Sequence, residues 1–308
     1  MSFHFKKMES PANGVKRLCR ERIDAALERL RKCDRPTDIH GVRKEIKKLR
    51  AIFRLVRGET GRGDYRKGAK ALRRAANQLA ATRDARVMLR AFQKLAGGRA
   101  ARRFPNVQKA LKKHCRREAR RFRDKDLAGL ARRMLRKTGR RAANLEIKES
   151  GWAAIKPGLD ESYRRGREAF KRVRLDPSPE NCHAWRKQVK DLWHYHCLLS
   201  PGSPPAARAR TAGLESLGKL LGEDHDLFLL QRFAAEPGTD QARELEALAR
   251  LTATRQAKLR AAALRLGCRL YAETPAGIGR QMEKDWNDWR GRAPRKQKRR
   301  FDESKRLG

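Results

Sequence analysis

Asp38-Ile39-His40-Gly41-Val42-Arg43-Lys44-Glu45-Ile46-Lys47-Lys48-Leu49 and Asn181-Cys182-His183-Ala184-Trp185-Arg186-Lys187-Gln188-Val189-Lys190-Asp191-Leu192 carry one pattern twice. His, Arg, Lys, an aliphatic residue, Lys and Leu recur in the same order at the same spacing. Downstream of each copy comes a second matched pair. Leu72, Leu79, Arg83 and Asp84 fall in step with Leu214, Leu221, His225 and Asp226. The separation between the two elements is nearly equal in both halves. A duplicated helical unit is therefore expected, its two copies packed face to face about a pseudo-two-fold axis.

Working outward, almost every segment repeats its apolar residues with a period near 3.6. Helices are expected at roughly 14–33, 37–57, 64–97, 106–140, 150–175, 178–199, 205–236, 240–272 and 276–290. Pro36, Gly61, Gly97-Gly98, Pro105, Pro177, Pro201, Pro237-Gly238 and Pro275 separate them. No alternating strand pattern is present. The expected fold is all-α: two pseudo-symmetric repeated helical bundle halves, about 10–145 and 150–290, packed into one domain at 10–290 with a basic central groove. Residues 291–308, basic and poor in apolar side chains, are expected to form a flexible tail.

The repeated helices carry two stripes. In the first, Ile39, Val42, Ile46, Leu49, Phe53 and Val56 recur at steps of three and four and face a core. One position on, about 100° around the helix, lie His40, Arg43, Lys47, Arg50, Arg54 and Arg57. Lys44 and Lys48 widen that basic side. From His40 to Arg54 it runs for about 21 Å, a length suited to an extended anion. Arginine forks two donors onto one phosphate and lysine adds a point charge. In the second copy Cys182, Trp185, Val189 and Leu192 point inward. His183, Arg186 and Lys190 follow one position on, with Lys187 beside them. Trp193 takes the place equivalent to Arg50, so the track weakens there.

The totals agree. The 308 residues carry 78 Lys plus Arg against 35 Asp plus Glu, a formal net charge of +43. A folded chain with that surplus repels itself, and polyanion binding is the usual reason to keep it. Six scattered cysteines without a Cys-x-x-Cys pair suit reduced, buried thiols in a cytosolic protein. The opening Met1-Ser2-Phe3-His4-Phe5-Lys6-Lys7 lacks the apolar run of a signal peptide, and no stretch is apolar enough to span a membrane.

These residues resemble the CHAD family, the conserved histidine α-helical domain. Its signature helix begins with His and continues with Arg, Lys and Leu-Arg at fixed spacing. His40, Arg43, Lys47, Leu49 and Arg50 fit the first copy, and His183, Arg186, Lys187, Lys190 and Leu192 the second. Tyr163-Arg164-Arg165-Gly166-Arg167 and Leu221-Gly222-Glu223-Asp224-His225-Asp226 also look like family positions. The likeness covers roughly residues 10–290. It implies a binding protein for inorganic polyphosphate, associated with cytoplasmic polyphosphate granules. On this reading the stripe residues are joined at the anion by Arg83, Arg164, Arg167, Lys219 and His225. Many members are fused to a triphosphate-tunnel domain, but its Glu-x-Glu-x-Lys motif does not occur here.

No enzyme, cofactor or metal is expected. His194, His196 and Cys197 are ligand types, yet helical neighbours two apart point about 200° away from each other. Asp84 and Asp226 are read as pins that hold basic side chains toward the ligand. No Walker spacing and no Gly-x-Ser-x-Gly elbow is present. The competing reading is a non-specific nucleic-acid binder, effective at low salt. Aromatics are only 6% of the chain and mostly take core positions (Phe53, Trp185, Phe228, Phe233), so such binding would touch backbone phosphates alone.

Overall fold

The computed structural model describes residues 3–31, 36–60, 62–199, 204–234 and 242–291. Cys33 and the tail from 292 onward lie outside them, as do residues 240–241 at the expected start of one helix. Among the described residues every regular element is helical. The first part of the chain runs α1 (Pro11–Arg31), α2 (Pro36–Leu55), α3 (Arg62–Gln78), α4 (Ala80–Ala96), α5 (Ala100–Arg103), α6 (Pro105–Asp124) and α7 (Leu127–Ala143). The rest runs α8 (Lys156–Leu175), α9 (Pro179–Leu199), α10 (Pro205–Ala234), α11 (Ala242–Leu270) and α12 (Pro275–Trp289). Pro11, Pro36, Pro105, Pro179, Pro205 and Pro275 each open a helix. The fixed φ of proline and its missing N–H suit the first turn, where that donor would be unpaired anyway.

Two expected helices are broken. The span expected at 64–97 is α3 and α4, with a turn at Leu79. The span expected at 106–140 is α6 and α7, with a turn at Lys125-Asp126. Nothing in Ala76-Asn77-Gln78-Leu79-Ala80 ends a helix by propensity. There the Ala76 carbonyl accepts from Leu79 N at 3.2 Å and from Arg43 Nη1 at 2.6 Å. A tertiary contact thus takes over a carbonyl left open by the helix end. At the second break Asp126 adopts a left-handed φ of 39°, and its carboxylate accepts from Gly129 N at 2.9 Å, capping α7. The corresponding α10 and α11 are continuous, 30 and 29 residues long.

α2 lies on α1 and α3, and α9 on α8 and α10. α3 and α4 pack on α7 and α6, as α10 packs on α11. The two sets meet where α2 touches α9 and α8, and where α4 touches α10. The contact of α2 with α8 is close enough to require glycine. A Cβ on Gly158 would stand 1.9 Å from the Leu55 carbonyl oxygen.

The inward stripes of α2 and α9 are buried as patterned, with Ile39, Val42, Leu49, Trp185 and Val189 at 0% exposure. They join one apolar core running through α1 to α3 and α7 to α12, with Phe122 of α6. A smaller cluster of Met88, Phe92, Phe104, Val107, Leu111, Leu230 and Leu248 closes the far ends of α4, α6, α10 and α11. The cysteines depart from expectation. Cys19 and Cys182 are buried, Cys115 and Cys197 half-buried, and Cys268 exposed.

Candidate functional site

With the apolar stripes of α2 and α9 in the core, the positions one step around each helix rise on both sides of the α2–α9 contact. Arg54 forms an ion pair with the buried Asp191 and ties the two helices together. Lys47 lies at the centre of the face. Burial first, then the like charges of Arg186, Arg83, Arg43 and Lys190, push its ammonium down to about 7. Arg43, Arg50, Arg186, Lys187 and Lys190 are lowered in the same way, each chiefly by burial and all with neighbouring arginines adding to it.

Carboxylates act on these cations without pairing directly with them: Asp84 on Arg43, Asp226 and Asp84 on Arg186, Asp191 on Arg50 and Glu215 on Lys190. Among the described residues Lys47, Arg50, Arg186, Lys187 and Lys190 make no ion pair, and the only hydrogen bond of Arg43 is to the Ala76 carbonyl. Lys190 instead lies 4.7 Å over the Trp193 ring. Trp193, read as a weakening of the basic track, therefore holds one of its cations. Some cations elsewhere are paired: Arg17 with Glu9 at 2.7 Å and Glu21 at 2.8 Å, and Arg255 with Glu223 at 2.7 Å.

α4 and α10 supply the remaining wall. Arg83 reaches Asp84 at 2.8 Å and Asp226 at 3.6 Å, so both carboxylates hold one arginine. His183 and His225 face each other with ring centroids 4.2 Å apart. Burial, and the cations around them, lower His183 to about 4 and His225 to about 3, so both rings are neutral near pH 7. Neutral rings can donate one hydrogen bond each and add no charge. On α10, Gly218 leaves room for Lys190, while Gly222, one turn on, lies at ordinary contact distance from Arg186. A Cβ on Gly218 would meet Lys190 Nζ at 2.8 Å, and one on Gly222 would lie 3.6 Å from Arg186 Nε.

Other expected site residues lie at or beyond the margin. His40 and Lys44 are exposed, with His40 near Arg83 and Lys47. Lys48 turns aside to Glu45 at 3.3 Å and covers the Phe3 ring at 5.1 Å. Lys219 is exposed and pairs with Glu215 at 2.8 Å. Arg164 pairs with Glu161 on an outer turn of α8, and Arg167 lies by Tyr163, whose hydroxyl donates to the Glu273 carbonyl. The structure does not bring these two α8 arginines into the central cluster. It adds Arg73 and Tyr65 of α3, which act on Arg50 and which the repeat motif does not mark. A spacing signal was available, because Arg66, Lys70 and Arg73 recur at steps of four and three.

His194 and His196 are buried, each held near 3, chiefly by burial. Among the described residues no three His, Cys, Asp or Glu side chains come together as metal ligands would. No helix there is long and apolar enough to cross a membrane.

A family profile described as the CHAD domain matches residues 15–235. The chain belongs to the CHAD domain family. A crystal structure of the CHAD domain from the plant Ricinus communis is similar to it, with a TM-score of 0.61 and 16% sequence identity. The match covers 82% of this chain and 89% of that one. At that identity the likeness speaks for a shared fold. No curated protein matches the chain. The CHAD profile spans both signature helices, α2 and α9, and so takes in all the cations of this face.

Proposed function

We propose that this CHAD protein binds inorganic polyphosphate, without catalysing a reaction, on the face where α2 and α9 meet. The observation that carries the reading is the crowding of half-buried Lys47, Arg50, Arg186 and Lys190, none of them in a direct ion pair among the described residues. Gly218 leaves room for Lys190, two aspartates hold Arg83, and an aromatic ring supports Lys190. Two unit charges about 4 Å apart interact by about 4 kcal/mol at an effective dielectric near 20, so crowded like charges are costly until an anion neutralises them. A chain of linked phosphates presents many oxygens to many donors at once. The repeat suggests the two halves, about 10–145 and 150–290, related by a pseudo-two-fold axis through this face. Protein carried on such a polymer would collect at cytoplasmic polyphosphate granules.

Nucleic acid at low salt is the competing partner for a chain of net charge +43. The half-buried position of Lys47 and Arg186 favours a thin, flexible anion that can enter the face over a duplex whose phosphates stand on a wide cylinder. The reading is tested by titrating labelled long-chain polyphosphate into the protein and its Lys47→Ala/Lys190→Ala variant. Affinity is expected to fall at least about tenfold, or roughly 1.4 kcal/mol. An unchanged affinity in a folded variant would reject the face.

A further inference from the structure

Arg50 belongs to two environments. On one side it acts on Arg43 and Lys187 of the central face. On the other it lines an open cleft of about 720 Å³ between α2 and α3, with Arg54, Tyr65, Arg66, Lys70 and Arg73. Arg66, Lys70 and Arg73 follow one another along a single face of α3, all three are exposed, and none makes an ion pair among the described residues. No carboxylate is among the described lining residues of the cleft. Its long arginine and lysine side chains surround a space large enough for several phosphate groups, and Tyr65 adds a hydroxyl donor at its wall.

We propose that this α2–α3 cleft is a second anion subsite, continuous with the central face through Arg50, and that it makes binding depend on the length of the polyphosphate chain. The proposal rests on polyphosphate being the ligand of the central face. A short oligophosphate satisfies the buried cations around Lys47 and ends there. A long chain passes Arg50 and gains the three α3 cations as well. The exposed α3 cations cost little to leave hydrated, so the central face holds the anion and the cleft discriminates by length.

The test compares the Arg66→Gln/Lys70→Gln/Arg73→Gln variant with a control that removes equal charge from α7, Arg133→Gln/Lys137→Gln/Arg140→Gln. Each is titrated with long-chain polyphosphate, tripolyphosphate and ATP at near-physiological salt. The α3 variant is expected to lose roughly tenfold in long-chain affinity while tripolyphosphate binding stays unchanged, and the α7 control to keep both. Equal losses in the α7 control would mean that only overall charge matters, and would overturn the subsite. So would loss of tripolyphosphate binding in the α3 variant, or an ATP site at α3 that long chains do not use. If the unaltered protein binds no long-chain polyphosphate, the central reading itself fails and takes the subsite with it, a result distinct from failure of the α3 variant alone.

Discussion

Lys47 is the residue where burial and charge act most strongly together, and its behaviour sets a pH dependence. Its folded-state value near 7 lies below the usual lysine value of 10.5, so the folded chain releases this proton at a lower pH than the unfolded chain does. For the free protein, the unfolded state then binds more protons between about 7 and 10.5, and this group makes stability rise with pH across that window. For the bound protein the sign is reversed. An anion favours the ammonium, so binding draws in a proton, and affinity falls as pH climbs above 7. His183 and His225 are neutral throughout that range and contribute no opposing slope. The internal phosphates of a long chain do not titrate there either. Lowered values at Lys187 and Lys190 add to the same trend. Affinity for long-chain polyphosphate is expected to drop between pH 6 and pH 9, and Lys47→Arg, charged throughout, to flatten most of that slope. Fluorescence anisotropy at fixed ionic strength would report it, and an identical slope in the two proteins would remove Lys47 from the account.

At the scale of elements, the breaks at Leu79 and at Lys125-Asp126 set α3, α4, α6 and α7 apart from the uninterrupted α10 and α11. Asp126 pays for its left-handed φ with a cap on Gly129 N, and asparagine can do both. Asp126→Ala is expected to cost about 1–2 kcal/mol in urea unfolding, and Asp126→Asn less than about 0.5 kcal/mol. Equal losses would show that the cap contributes nothing. This difference marks what the sequence could tell. The stripes on α2 and α9 were legible, because burial of Ile39, Val42, Leu49, Trp185 and Val189 follows directly from helical period. The break at Leu79 was not, because the contact that takes up the freed Ala76 carbonyl comes from the guanidinium of Arg43, distant in the chain. Proline was read as a separator, whereas six helices begin on it.

For the whole molecule, repeat and charge together pointed to the face where α2 meets α9, while which cations gather there was only partly readable. Arg43, Lys47, Arg50, Arg186 and Lys190 come together because two copies of one stripe converge where α2 meets α9. Arg164 and Arg167 do not join them, since α8 turns Arg164 toward Glu161 and places Arg167 by Tyr163. Arg73 and Tyr65 were missed because they reach the site from outside the repeated motif. A net charge of +43 also means that almost any polyanion will associate with this chain at low salt, so affinity alone says little. Discrimination between anions is the informative quantity. The most direct measurement is a competition titration at near-physiological salt. Labelled long-chain polyphosphate is bound and then challenged with double-stranded DNA at equal phosphate concentration, with the Arg43→Ala/Lys47→Ala/Arg186→Ala/Lys190→Ala variant in parallel. The account predicts that DNA fails to displace polyphosphate from the unaltered protein and that the variant loses most of its polyphosphate binding. Equal competition by DNA, with a variant that binds like the parent, would contradict it and leave the cations of α2 and α9 as ordinary surface charge.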